Sequence, residues 1–292
     1  VVDVVTDTEQ EAVDAIRAFL SYLPASAADE PLVPAGPYEP GDTADAIDTL
    51  VPSSMRQAYD VVDVIEAIAD VDTVFELKRL HAPNIVTAFA RIDGRAVGVV
   101  ANQPRFHAGA LDANACEKAA HFIAVCDTFG LPLLILIDLR GFLVGAGAEE
   151  TNLVRRSARL GYELAAATVP RFVIVTRKAY GAAYIAMGGG RSIEADLSLA
   201  WPTAEICAIP IESAVDLAFR SQYEAAPDPA KARGDLITLF QANVDPLLAA
   251  DGFGIDDVVL PSATRPMLAE ALGRVRRRPP RVPQKRRSIS PI

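Results

Sequence analysis

The sequence predicts an α/β protein built on a largely parallel sheet, and two observations carry that prediction. The runs Leu131 to Leu139 (LPLLILIDL) and Phe172 to Thr176 (FVIVT) are bulky and apolar almost without a polar break, as strands buried on both faces are. Each follows a stretch with apolar residues at helical spacing, Asn114 to Phe129 and Asn152 to Ala167. Strands alternating with helices imply crossover connections, and crossovers leave the strands parallel. With 292 residues of which 51% are apolar, the chain can bury one substantial core, as one large domain or two small ones.

Taken in order, Val13 to Leu23 has the spacing of an amphipathic helix and stops at Pro24. Pro24 to Pro40 is rich in Pro, Ala and acidic residues and reads as a linker. A helix is expected from Val61 to Ala69, and Val74 to Leu77 begins the sheet. Strands are expected next at Ile85 to Ile92, Arg95 to Ala101 and Leu131 to Asp138, then at Phe172 to Thr176, Leu197 to Trp201 and, briefly, Asp257 to Leu260. The helix from Asn114 has Asn114 and Glu117 at capping-box spacing. Further helices are expected around Tyr184 to Met187, at Ser213 to Tyr223 and at Asp235 to Leu248.

Charge is unevenly placed. Residues 1 to 75 carry sixteen Asp and Glu against two Arg, whereas 274 to 287 hold eight basic residues and no acidic one. A net charge of -10 argues against nucleic acid as a partner. The basic stretch is broken by Pro279, Pro280 and Pro283 and reads as an extended solvated tail or a strap over a neighbouring subunit. The three cysteines, Cys116, Cys126 and Cys207, sit in apolar patterns and read as buried thiols. His81, His107 and His121 show no metal-ligand spacing with them, so no metal is expected in this chain. The chain opens on Val1 with no basic leader and no long apolar run, so a cytoplasmic protein, or a fragment of one, is expected, with no membrane span.

The stretch that organises the chemistry is RFVIVTRKAYGAAYIAMGGG, from Arg171. A buried strand passes through Arg177, Lys178 and Tyr180 into Gly181, Ala182 and Ala183, which have almost no side chain, before Tyr184, Ile185 and Met187 resume a helical pattern. N–H groups in the first turn of a helix lack intrahelical partners and carry the positive end of the dipole, so they can cradle an anion. Close packing of helix on strand explains the same small residues, and on this run alone both readings stand. Gly141 and Phe142 lie at the carboxyl end of the other buried strand, where ligands of parallel sheets gather. Asp138, on that strand, reads as a structural hydrogen-bond acceptor. Glu149 and Glu150 read as a solvated face or an acid/base pair, the former favoured by their polar loop. No Ser-His-Asp arrangement is visible.

Several blocks resemble, in order, the carboxyl-terminal half of the carboxyltransferase (β) subunit of biotin-dependent acyl-CoA carboxylases, of the propionyl-CoA and acetyl-CoA type. They are YDVVDVIEAIAD from Tyr59, NIVTAFARIDGRAVGVVANQP from Asn84, AGALDANACEKAAHFIAVCDTFGLPLL from Ala108, DLRGFLVG from Asp138, ATVPRFVIVTRKAYGAAY from Ala167 and ADLSLAWPTAEI from Ala195. The resemblance implies the crotonase (ClpP-like) fold, a spiral of repeated ββα units. It implies a division into 1-58, a connecting helix and linker from a missing amino-terminal half, and 59-292, the carboxyl-terminal carboxyltransferase domain with basic tail 274-292.

It also implies a function: transfer of a carboxyl group from carboxybiotin, held on a carrier protein, to the α-carbon of an acyl-CoA. In such enzymes the oxyanion donors of this half fall on the two residues after the glycine of the KAYG run, here the backbone N–H groups of Ala182 and Ala183, and biotin itself serves as the base. Gly141, Phe142, Tyr180, Gly181, Tyr184 and Ile185 are the expected substrate-binding residues, Ile185 standing where the family places a residue that influences acyl-chain choice. Implied partners are a biotin carboxylase and biotin carboxyl carrier subunit, acyl-CoA, an amino-terminal carboxyltransferase half, and further copies in a homo-oligomer; the isolated half is expected to be inactive. Three departures stand out. Arg140 replaces a proline, Ala182 replaces a second glycine, and Ile209, Pro210 and Ile211 replace Met-Gly-Ala, Pro210 having no N–H to give. A non-catalytic structural paralogue is the alternative that these changes keep open.

Overall fold

The structure, a computed structural model, describes residues 2–26, 29–190 and 195–275. The basic tail beyond Val275 lies outside the described residues.

A mixed sheet forms the centre, with strands β1 (Phe75–Leu77), β2 (Ile85–Ile92), β3 (Arg95–Asn102), β4 (Leu133–Leu139), β5 (Arg171–Tyr180), β6 (Leu197–Ala200), β7 (Glu205–Cys207) and β8 (Asp257–Val258). Their order is β1-β2-β3-β4-β5-β6-β8, and β7 pairs with the upper part of β5. From β3 onward all pairs are parallel, as expected, but β1, β2 and β3 are antiparallel. The reason is legible at Asp93-Gly94, a two-residue connection with φ of 52° and 74° that can only close a hairpin. The buried Asp70 carboxylate accepts from the N–H groups of Asp93 (3.0 Å) and Gly94 (2.8 Å) and from Arg265 (2.6 Å), which ties the hairpin down.

Twelve α-helices complete the described chain: α1 (Glu9–Tyr22), α2 (Ile47–Leu50), α3 (Val61–Ile68), α4 (Ala113–Phe129), α5 (Ala146–Glu150), α6 (Leu153–Ala166), α7 (Gly181–Ala186), α8 (Ile211–Ala218), α9 (Arg220–Glu224), α10 (Pro229–Gln241), α11 (Pro246–Asp251) and α12 (Thr264–Arg274). None is long and apolar enough to cross a membrane. The α4 cap differs from expectation: Asp112 accepts from the Ala115 N–H at 2.7 Å, while Asn114 and Glu117 already lie inside the helix and accept from Arg156 on α6. The expected helix from Ser213 breaks at Phe219, whose φ of -124° is not helical, and the one from Asp235 is split by Pro246, which starts a new helix at its first position.

Alternate residues of the sheet feed two cores. Leu133, Ile135 and Ile137 of β4 with Val173 and Val175 of β5 pack under α4 and α6. Leu134 and Leu136 with Phe172 and Ile174 pack under α3 and α12. That double burial is why both strands are apolar at every position. Residues of the amino-terminal segment join both cores: Tyr22 of α1 stacks on Phe89 at 5.4 Å, and Ile47 and Val51 are buried in the second. Close approach of α4 to the sheet depends on Gly98, where an added Cβ would lie 2.3 Å from the Cys126 Sγ. Gly98→Val is therefore expected to destabilise by about 1–3 kcal/mol, the usual cost of overpacking, read as a lowered melting temperature.

Candidate active site

The organising strand is longer than the sequence pattern suggested. β5 continues past Thr176 to Tyr180, and Arg177 and Lys178 remain inside it, buried. What makes this possible is Asp138 on the neighbouring β4. Its carboxylate accepts from Arg177 Nε at 3.0 Å, from the Lys178 backbone N–H at 3.2 Å and from Lys178 Nζ at 2.8 Å. The expected role of Asp138 as a structural acceptor is borne out in this arrangement. Two buried cations nevertheless share one buried carboxylate, so the cluster keeps a positive excess. Burial pushes the Lys178 ammonium below the usual lysine range, against the opposing pull of Asp138.

Arg177 uses its other donors on backbone. It donates to the carbonyls of Ser54 and Gln57, both at 2.8 Å, and its guanidinium lies 5.0 Å from the Tyr59 ring centroid. The Tyr59 hydroxyl in turn meets Thr176 Oγ1 at 3.2 Å. One strand residue thereby fixes the segment 52–57 over the carboxyl end of the sheet.

At Tyr180 the strand ends and Gly181 turns the chain with a φ of +66°. A Cβ there would stand 2.9 Å from the Ala208 carbonyl oxygen, so both conformation and space require glycine. α7 starts at once, with Ala182 exposed and Ala183 fully buried. Their N–H groups belong to the first turn, where the helix itself offers no acceptor. Tyr184 is buried under the turn, its ring filling the space a side chain on Gly189 would need, whereas Ile185 is 46% exposed.

The loop after β4 runs beside this turn. Gly141 has a φ of +125° with open space around it, and its carbonyl accepts from the Leu111 N–H at 3.1 Å. The Leu143 N–H donates back to the Leu111 carbonyl at 2.9 Å, and Phe142 packs half-buried on the core. Asp138 and Gly109 touch just below: a Cβ on Gly109 would come within 2.1 Å of the Asp138 carbonyl oxygen. His107 and Ala108, before it, both adopt left-handed φ angles of 51° and 50°.

A cleft of about 770 Å³ opens over these loops. Of the residues singled out in the sequence, Tyr180 lines it directly; Gly181, Ala182 and Ala183 follow on from Tyr180, and Gly141 and Phe142 follow on from Arg140, which also lines it. Tyr184 and Ile185 do not. Glu149 and Glu150 sit exposed on α5, away from the lining. Sequence reasoning missed Ser54 and Arg56 on one wall and Glu205 on the other. No sequence signal marked the last, because Glu205–Cys207 is a strand of only three residues; the fold pairs Glu205 across from Lys178. Its carboxylate accepts from the Tyr180 hydroxyl at 2.5 Å, and burial together with that carboxylate pushes the phenol well above its usual range. Pro210 stands at the start of α8 and lines the cleft, its carbonyl accepting from the Ala214 N–H at 2.9 Å.

Residues 1–289 match the family described as carboxyl transferase domain. The propionyl-CoA carboxylase carboxyltransferase subunit of Haloferax mediterranei is 40% identical over 288 residues, spanning 98% of this chain and 56% of the relative. The methylmalonyl-CoA carboxyltransferase 12S subunit of Propionibacterium freudenreichii subsp. shermanii is 41% identical over 257 residues, 88% of this chain and 49% of that one. Among solved structures, a transcarboxylase 12S hexamer with methylmalonyl-coenzyme A and methylmalonic acid bound superposes with a TM-score of 0.89 at 37% identity, over 99% of this chain and 56% of that one. The chain thus spans about half the length of the curated relatives it matches.

Proposed function

The chain belongs to the carboxyl transferase domain family and has its crotonase-like α/β fold, and from that premise we propose that it supplies the biotin-binding half of an acyl-CoA carboxylase active site. The observation that carries this reading is the Gly181 turn, which presents the first-turn N–H groups of α7 beside a roomy cleft at the carboxyl ends of β4 and β5.

The residues fit the group the family implies. A cleft of about 770 Å³ falls within the range of small-molecule sites, roughly 300–1,000 Å³, and takes a fused bicyclic urea. When bound on its carrier protein, carboxybiotin would supply the carboxyl group, the N–C bond breaking with its electron pair passing to the ureido group, which would take up the acyl α-proton as the α-carbon bonds to the CO2 carbon. The N–H groups of Ala182 and Ala183 would donate to the ureido oxygen as charge gathers there, an interaction stronger in the transition state than in the ground state. Arg177, through Ser54 and Gln57, fixes one wall, and Gly141 and Phe142 bound the loop side. The acyl-CoA oxyanion is met by an amino-terminal half, in a homo-oligomer served by a biotin carboxylase and carrier subunit. Transfer of labelled carboxyl from a carboxylated carrier to acetyl-, propionyl- and longer acyl-CoA by the complete subunit tests the reading, and absence of transfer to every acyl-CoA overturns it.

Ile185 is half-exposed on α7 and outside the cleft lining, which supports a role at the acyl group rather than at the biotin site. Ile185→Asp is expected to change the ratio of turnover between short acyl-CoAs at unchanged melting temperature. A constant ratio would remove Ile185 from substrate choice.

A further inference from the structure

Backbone donors stabilise an oxyanion only while they are held within about 0.5 Å of the productive geometry. The Gly181 turn has little of its own to hold it. α7 is six residues long, Tyr180 at its N-cap makes no side-chain capping bond, and Gly181 is the residue type least restricted in φ and ψ. What fastens the turn comes from β7 and the loop after it. Lys178, Ala179 and Tyr180 pair with Glu205, Ile206 and Cys207, and the Ala208 carbonyl oxygen closes over Gly181, 2.9 Å from where a Cβ would stand. β7 has only three residues, all half-buried, so ladder bonds alone fix it weakly. One side-chain bond ties the two strands together, the Tyr180 hydroxyl donating to Glu205 Oε2 at 2.5 Å. Because Glu205 is level with Lys178 rather than with Tyr180, this bond runs diagonally across the ladder and resists sliding of β7 along β5. A phenol donating to a carboxylate makes a charge-assisted bond, and its length falls in the short range of that class. Burial first, and then the carboxylate itself, push the Tyr180 phenol upward, so the donor keeps its proton.

Resting on the biotin reading above, we infer that Glu205 is a positioning residue: through the Tyr180 hydroxyl it fixes β7 and the Ala208 carbonyl against Gly181, and so keeps the Ala182 and Ala183 N–H groups aimed. Its contribution is to the order of the turn, present before any ligand arrives. Both side chains also line the cleft, so direct contact with substrate is the rival role, and the two differ in what they do to the ligand-free protein.

The test reads the turn first and turnover second. In the complete subunit without ligand, amide hydrogen exchange is followed at Met187, Gly188 and Gly189, whose N–H groups close α7 on the carbonyls of Ala183, Ile185 and Tyr184. Tyr180→Phe, which removes one oxygen and keeps the ring, and Glu205→Ala are each expected to speed exchange there about tenfold, while the amides of β4 and β5 keep their protection. Glu205→Gln, which still offers the phenol an oxygen, is expected to restore most of that protection. Transfer of labelled carboxyl from a carboxylated carrier to propionyl-CoA should fall about tenfold to a hundredfold in kcat for Tyr180→Phe and Glu205→Ala, with KM for the carrier within about twofold. The double variant should be no slower than the worse single one, because the same bond is lost either way. Unchanged exchange at α7 with reduced transfer overturns the inference and makes these side chains substrate contacts. Exchange raised equally in β4 and β5, or effects that add in the double variant, overturns it too. In each of these cases the unmodified subunit still transfers, and the biotin reading stands. No transfer to any acyl-CoA by the unmodified subunit overturns that reading and the inference with it.

Discussion

Ala182→Pro in the complete subunit is expected to lower carboxyl transfer by about a hundredfold to a thousandfold, the usual effect of losing one oxyanion donor. No ordinary side-chain change deletes an N–H, but proline does, and in the first turn of a helix that N–H has no intrahelical partner to lose. The site tolerates the ring. Ala182 is exposed, and the residue before it is glycine, the least restricted by a following proline. Ala183 does not allow the same experiment, because it is fully buried and a ring there would disrupt the core. Ala182→Ser, which keeps the N–H, is the matching control and should turn over near normally. Melting temperature and oligomeric state should be unchanged in both. Normal turnover by a well-folded Ala182→Pro protein would mean that the Gly181 turn serves packing alone.

How far the sequence alone reaches can be judged along β5. Phe172 to Thr176 is legible because a strand covered on both faces needs apolar side chains throughout, and that requirement is written locally. Arg177 to Tyr180 is not, because charged residues continue a buried strand only if a partner far along the chain neutralises them, and Asp138 lies 39 residues upstream of Arg177. The same distinction separates β2 and β3, whose bounds were nearly anticipated, from their antiparallel pairing, for which Asp93-Gly94 was the overlooked cue. Helix α12 escaped notice because Pro266 breaks its pattern early, although the buried Trp201 donates to Thr264 Oγ1 at 2.9 Å across 63 residues. At the site, the glycine turn is readable from residue types that nothing else would tolerate. The cleft walls, Ser54 and Arg56 on one side and Glu205 on the other, come from segments that only the fold brings together.

That dependence on a distant partner makes Asp138→Leu the most damaging substitution expected for stability. The leucine matches the apolar surroundings but leaves Arg177 and Lys178, each about 97–99% buried, without their shared counter-charge. Removing one member of a buried ion pair costs about 3–5 kcal/mol, and for a chain of this size that corresponds to a melting temperature lower by roughly 10 °C or more. The loss should depend on pH in a direction fixed by Lys178. Its pKa is already depressed in the folded protein, and removing the carboxylate that favours its charged form depresses it further. As pH rises from the folded value toward the ordinary lysine value of about 10.4, the unfolded chain holds the proton that the folded chain has given up, so stability increases through that window. The window is wider in the variant, and the gap between the two melting temperatures should therefore narrow as pH is raised from 7 to 10. Asp138→Asn, which keeps an acceptor for Arg177 but no charge, should fall between. A melting temperature for Asp138→Leu within a degree or two of the unmodified protein would show that the two cations are stabilised by solvent or backbone, and that Asp138 is not what holds β5 together beyond Thr176.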